Sequence, residues 1–244
     1  MLYFDRFHAL SGVPEEDILG EQQLLGAYPS DAQTYADTLA IIDPTLNQFV
    51  SVVTMQNHVP YAPYEGDSQI EARGEGYSEG ENAALQSYVR QVSDTDKATA
   101  AFLDALERID KPIALVFYGD HLPNLYPDRL EAFSEDPAVE YQTDYFIWTN
   151  EGKGVGRRLD LNSAELIPAL LETTDSRVSP YCALLTQAMW ELPPELNSAL
   201  RATPDLTRNQ AALVEDLKLA QFDSTSGDNL LGAEFFAMPG VDAG

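Results

Sequence analysis

The sequence predicts an α/β fold with a mainly parallel sheet flanked by helices, and three observations predict it. Short, nearly continuous apolar runs rich in β-branched and aromatic residues occur at 48–54, 112–118 and 144–149. Runs of this length and character read as strands buried on both faces. Between and after them lie stretches whose apolar residues recur at helical spacing, each opened by a Ser, Thr or Asn, and strands alternating with helices build a mainly parallel sheet. At 244 residues with 44% hydrophobic content, the chain has enough apolar side chains for a sizeable core. It reads as a single domain over residues 1–244, with residues 191–244 packing as a small C-terminal extension.

The elements follow in order. Residues 5–43 mix acidic turns with short amphipathic pieces, helical over 31–41. The first strand, 48–54, is closed by the polar group Met55-Gln56-Asn57-His58. Residues 59–80 carry Pro60, Pro63, Gly66, Gly74, Gly76 and Gly80 and read as a long ordered loop. Ser93 is placed as an N-cap with Asp96 three residues on. Ala98, Ala101, Phe102, Ala105, Leu106 and Ile109 then make one apolar face, and Lys111-Pro112 ends the helix. The second strand, 112–118, runs straight into Gly119-Asp120-His121. After the third strand, Gly152-Lys153-Gly154-Val155-Gly156 reads as a turn, since it lacks the spacing of a Walker A or GxGxxG phosphate loop. Asn162 with Glu165 caps the next helix, and further helical patterns cover 180–190 and 207–222, the last opened by a Thr207/Gln210 capping box.

Charge narrows the function. Forty acidic against fourteen basic residues give a net charge of −26. Nucleic-acid binding needs clustered Lys and Arg to displace counterions, so nucleic acid is excluded as a partner. Docking on anionic lipid through a basic face is excluded on the same ground. Cys182 is the only cysteine, which rules out an intrachain disulfide and a Cys-rich zinc site. No signal peptide follows Met1, and no apolar run approaches the roughly 20 residues of a membrane helix.

In open parallel sheets ligands gather at the carboxyl ends of strands, and two of the three histidines fall there. His58 lies four residues past Thr54 and His121 three past Tyr118. If both strands run parallel, both loops emerge on one side and the two histidines approach each other. Asp120 and His121 offer a hard oxygen and an imidazole nitrogen side by side, after a glycine that lets the chain turn sharply. The competing reading is an Asp that caps a turn beside a structural His. His58 is suited to hold an anionic oxygen or to act as an acid, against the reading of a loop His bonded to backbone. Nothing nearby in sequence activates Thr54 as a nucleophile, and His8 lies in an unpatterned segment.

These residues carry a family resemblance. Val52-Val53-Thr54-Met55-Gln56-Asn57-His58 followed by Pro60-Tyr61, and Phe117-Tyr118-Gly119-Asp120-His121-Leu122-Pro123, resemble two motifs of the lipoteichoic acid synthases and related phosphoglycerol transferases, in the alkaline-phosphatase/sulfatase superfamily. The helix before the second strand, the segments 144–150 and 165–171, and 213–227 resemble the rest of that family's C-terminal part in order. The resemblance implies that Asp120 and His121 are ligands of one divalent metal, Mn²⁺ with Mg²⁺ as the alternative, and that His58 contacts the phosphoglycerol group. It implies transfer of glycerol phosphate from a phosphatidylglycerol-type lipid head group to a glycerol-phosphate polymer or other envelope glycan. The family is membrane-anchored through N-terminal helices, with an extracellular catalytic domain. Its nucleophilic Thr, a metal-binding Glu and a His/Trp/Arg cluster lie upstream of the part that this chain resembles, which opens near Phe4-Asp5-Arg6-Phe7. No catalytic nucleophile is therefore assigned within 1–244, and the chain is expected to be incomplete and inactive alone. The alternatives are a sulfatase or phosphodiesterase of the same superfamily, or a non-catalytic binding module that kept the fold.

Overall fold

The structure, a computed structural model, describes residues 24–25, 28–61, 63, 69–125, 138–154, 156, 158–193, 196 and 204–238. His8 and the segment Phe4-Asp5-Arg6-Phe7 lie outside them. The chain divides into two compact units, one of Met1–Lys111 with Pro123–Pro127, the other of Pro112–Leu122 with Asp128–Gly244.

In the first unit, β1 (Leu24–Leu25) and β2 (Tyr28–Pro29) form a short antiparallel ladder. Helix α1 (Asp31–Ile41) starts at Ser30, whose side chain accepts from the Gln33 amide. Helix α2 spans Glu79–Glu107, opened by a full capping box between Ser78 and Glu81. At 29 residues it is roughly 44 Å long. Ser93 is thus an interior residue and not the cap that the sequence suggested. A cap contributes only about 1 kcal/mol, too little to interrupt a helix whose flanking turns already propagate. The two helices pack through Tyr35 and Phe102, whose rings stack at 4.7 Å and 11°. Leu106, one turn on from Phe102, and Leu85, nearer the start of α2, are buried as well.

Segment 48–54 is a correction to the sequence reading. It forms no strand ladder among the described residues, and Phe49 and Val53 are 62% and 76% exposed. β-Branched residues favour an extended backbone, but a buried strand also needs neighbours to supply its hydrogen bonds.

In the second unit β3 (Ala114–Tyr118) and β4 (Tyr145–Thr149) coincide with the other two expected strands. They pair with each other and run antiparallel, with Ala114 opposite Thr149 and Tyr118 opposite Tyr145. A parallel pair requires a long crossover, usually a helix; the described part of the connection holds only a 3₁₀ turn at Val139–Tyr141. Phe117 and Phe146 stack across the pair at 5.0 Å. Helix α3 (Leu166–Thr173) packs on β3 after the Asn162/Glu165 capping box, and α4 (Pro180–Glu191) packs on α3. Helix α5 (Arg208–Thr225), opened by the Thr207/Gln210 box, and the one-turn α6 (Ala233–Phe236) pack on α4. The turn expected after the third strand is present, with Gly152, Gly154 and Gly156 all at positive φ. No helix of the described residues is long and apolar enough to cross a membrane.

Candidate functional site

His58 stands at the end of a tight turn. Its amide donates to the Met55 carbonyl at 3.0 Å, which makes Gln56 and Asn57 the two corner residues. Both corners are pulled inward. Gln56 is 3% exposed; its Nε2 donates to the Gln91 carbonyl at 2.9 Å and to Thr95 Oγ1 at 3.0 Å, and its Oε1 accepts from the Asp31 amide at 2.9 Å. Asn57 Nδ2 donates to the same Thr95 oxygen at 2.8 Å. The imidazole is exposed, meets the Tyr28 ring edge-on at 5.6 Å and is bonded at Nδ1. Nδ1 lies 2.8 Å from the Val59 carbonyl and 3.3 Å from the Tyr28 hydroxyl, which itself donates to Val59 O at 3.0 Å. A carbonyl can only accept, so Nδ1 carries a proton, and Nε2 is the atom whose protonation and bonding respond to a ligand.

Thr95 closes this network by donating to Asp31 Oδ2 at 2.6 Å. With two amide donors on its lone pairs, the hydroxyl is fully used. Asp31 has no exposed surface. Its burial pushes the carboxyl above the ordinary carboxylate range, against hydrogen bonds donated by Thr95, Thr54 and the Gln56 backbone amide that pull the other way. The buried acceptors Asn57 Oδ1, Gln91 Oε1 and Asp31 Oδ1 find no hydrogen-bond donor among the described residues. A folded-state pKa raised above the unfolded value contributes stability that is complete below the unfolded value and is lost as pH rises through the folded one. The stability of wild type relative to Asp31→Asn should therefore fall as pH is raised from the ordinary carboxylate value of 3.8, and then level off. Thermal melting of the pair from pH 3.5 to 8 reads this, and a pH-independent difference would contradict it.

In the second unit, Gly119-Asp120-His121 directly follows β3. Gly119 does not take the positive φ that a sharp glycine turn implies. Space favours glycine there instead, since a Cβ would stand 3.2 Å from Thr143 Cβ, which would have to give by a few tenths of an ångström. The Gly119 amide donates to Asp144 O, and its carbonyl accepts from Thr143 Oγ1 at 2.7 Å. The turn is thus tied to the strand opposite, and it presents both following side chains to solvent, Asp120 at 80% and His121 at 64% exposure. His121 repeats the arrangement at His58: Nδ1 lies 2.8 Å from the carbonyl of the next residue, Leu122, so in the neutral ring Nε2 bears the lone pair. That nitrogen is 3.8 Å from Asp120 Oδ2, close enough for one small cation to contact both. The donor set suits a divalent ion but is partial, because no group of three or more His, Cys, Asp or Glu that could hold a metal is found among the described residues.

His58 therefore belongs to one compact unit, and Asp120 with His121 to the other. The premise for bringing the two histidines together, two parallel strands, is not met. Sequence reasoning missed Tyr28, Asp31, Gln56 and Thr95, which hold the His58 turn. Two adjacent amide side chains between an apolar run and a histidine are the signal that pointed to them, since buried amides require partners.

The sulfatase family matches residues 2–176. Among solved structures, the chain is similar to the Streptococcus pyogenes phosphoglycerol transferase GacH in complex with sn-glycerol-1-phosphate. The two are 41% identical with a TM-score of 0.81, over 96% of this chain and 59% of that one. Among curated proteins it is similar to the capsular polysaccharide biosynthesis protein RkpI of Rhizobium meliloti (strain 1021), 31% identical over 125 residues, which is 50% of this chain and 20% of the relative. The matched region thus spans a fifth of the curated relative's length and somewhat over half of the streptococcal chain.

Proposed function

The chain belongs to the sulfatase family, and from that premise we propose that it carries the glycerol-phosphate-holding and metal-ligating part of a phosphoglycerol transferase that modifies an envelope glycan or glycerol-phosphate polymer. The observation that carries this reading is the likeness to a phosphoglycerol transferase with bound sn-glycerol-1-phosphate, which extends over 96% of the chain at 41% identity. The similarity to a capsular polysaccharide biosynthesis protein supports a glycan-type acceptor, and the donor is a phosphatidylglycerol-type lipid head group.

In this reading His58 binds the phosphoglycerol group. With Nδ1–H engaged by Val59 O, a protonated ring offers Nε2–H to a phosphate oxygen, a charge-assisted bond stronger than a neutral one. Asp120 and His121 hold a divalent cation, Mn²⁺ with Mg²⁺ as the alternative. When bound, that ion neutralises charge on phosphoryl oxygens and lowers the pKa of an attacking hydroxyl. Single-metal catalytic sites generally take about three protein ligands plus an open position. The nucleophile and the remaining ligand are accordingly proposed to be residues other than His58, Asp120 and His121, whose part is to bind rather than to attack.

Titration calorimetry with sn-glycerol-1-phosphate tests the reading. A hydrogen bond to a charged group contributes about 1.5–3 kcal/mol, so His58→Ala should lower affinity by roughly 10- to 150-fold. His58 is exposed, so the fold should survive. Equal affinity of the two proteins would remove His58 from the site. A second reading, sulfate-ester hydrolysis, is favoured by the matched family's own description.

A further inference from the structure

We propose that Gln56, acting with Thr95, is the positioning residue for His58. It would fix where the imidazole stands by tying the turn that carries it to two helices at once. The inference rests on the reading that His58 holds the phosphoglycerol group.

The geometry is specific. Gln56 is a corner of the Met55–His58 turn, and its amide uses both donors and its acceptor on three different partners. The Oε1 acceptor takes the amide of Asp31, the first residue of α1, one of the helix N–H groups that has no partner inside the helix. The two Nε2 donors go to α2, at the Gln91 carbonyl and the Thr95 hydroxyl. The second corner, Asn57, meets α2 at the same hydroxyl. That single oxygen also donates to the buried Asp31 carboxyl. Both corners and both helices therefore share Thr95 Oγ1, and His58 is the next residue along the chain. A turn fixed at its corners has little freedom to tilt. Tyr28, by donating to Val59 O, holds the residue just beyond His58. The imidazole itself is solvent-exposed and meets the Tyr28 ring edge-on at 5.6 Å. The buried polar groups beneath the turn thus set where its Cα stands, and buried hydrogen bonds of this kind specify a conformation more sharply than apolar packing does.

The test uses the whole 244-residue chain, with sn-glycerol-1-phosphate as probe and the His58 ring ¹H–¹³C signals as a second readout. Gln56→Met keeps the length of the side chain and removes all three hydrogen bonds. It should reduce affinity by about tenfold or more, as displacement of a binding group by about an ångström does, and should shift or broaden the His58 signals although His58 is intact. Thr95→Val keeps shape and deletes the shared hydroxyl; it should act the same way, while Thr95→Ser restores hydroxyl and affinity together. The Thr95 pair decides the matter should Gln56→Met fail to fold. A role confined to stability would lower the melting temperature and leave both readouts at wild-type values well below it. Folded Gln56→Met or Thr95→Val with wild-type affinity and unmoved His58 signals overturns the inference. A His58→Ala protein that binds as wild type overturns the underlying reading instead, so the two failures are told apart.

Discussion

Replacing Asp120 by alanine should abolish measurable Mn²⁺ binding by the chain. Among the described residues two donor atoms stand together at the proposed site, Asp120 Oδ2 and His121 Nε2, 3.8 Å apart. A site this thin cannot lose half its protein ligands. Removing even an outer partner of a metal ligand costs 10- to 100-fold, and loss of a direct ligand costs more. Because Asp120 is 80% exposed and its neighbours are held by Gly119 and Thr143, the substitution should leave melting unchanged, which separates a binding defect from a folding one. His121→Ala should act likewise. With 40 acidic residues, the chain also offers diffuse attraction for cations, so the comparison belongs at physiological salt, where exposed charges more than a Debye length apart are screened. Mn²⁺ binding of unchanged affinity and stoichiometry in Asp120→Ala would place the ion elsewhere.

The largest stability effect is expected at Leu106. It is 1% exposed in the last turn of α2, one turn on from Phe102, which stacks on Tyr35 of α1. Leu→Ala at such positions costs about 2–5 kcal/mol, the lost transfer energy plus a cavity that neighbours refill only in part. The stacked Tyr35 and Phe102 rings, 4.7 Å apart, limit that collapse. Against a total of about 5–15 kcal/mol for a folded domain, the loss is large. Denaturant unfolding should show a lower midpoint at unchanged slope. A cost under about 1 kcal/mol would mean that α1 and α2 are not held by this core. The consequence reaches function, because Gln91 and Thr95 on the same helix hold the His58 turn.

Much of this was legible in the sequence, and the reasons for success and failure are physical. Helix starts were read well where a cap and its reciprocal partner fall together, as at Asn162/Glu165 and Thr207/Gln210. Ser93 misled because Ser-x-x-Asp can also occur inside a helix already begun at Ser78. Strands 114–118 and 145–149 were found from their apolar character, but that character does not encode pairing direction. Direction depends on the connection, and parallel strands need a crossover that periodicity near the strands does not reveal. Segment 48–54 has strand composition, yet composition cannot supply a neighbouring strand. Asp120 and His121 were singled out from chain order alone, and they stand together at the end of β3. The Asp31–Gln56–Thr95 network was not foreseen, since its members lie 25 to 64 residues apart and meet only when α1 packs on α2.

The most direct measurement of the proposed function is competition between two small ligands that differ only at the central atom. The chain, in Mn²⁺-containing buffer, is titrated with sn-glycerol-1-phosphate and with the corresponding glycerol sulfate. A phosphate monoester approaches two negative charges near neutral pH, its second pKa lying near 6, whereas the sulfate monoester carries one. A cationic imidazole and a divalent ion therefore favour the phosphate if they hold the ligand. Preference for the phosphate ester, lost in His58→Ala and weakened in Asp120→Ala, is the predicted result. Tighter binding of the sulfate ester, or no saturable binding of either, would contradict it.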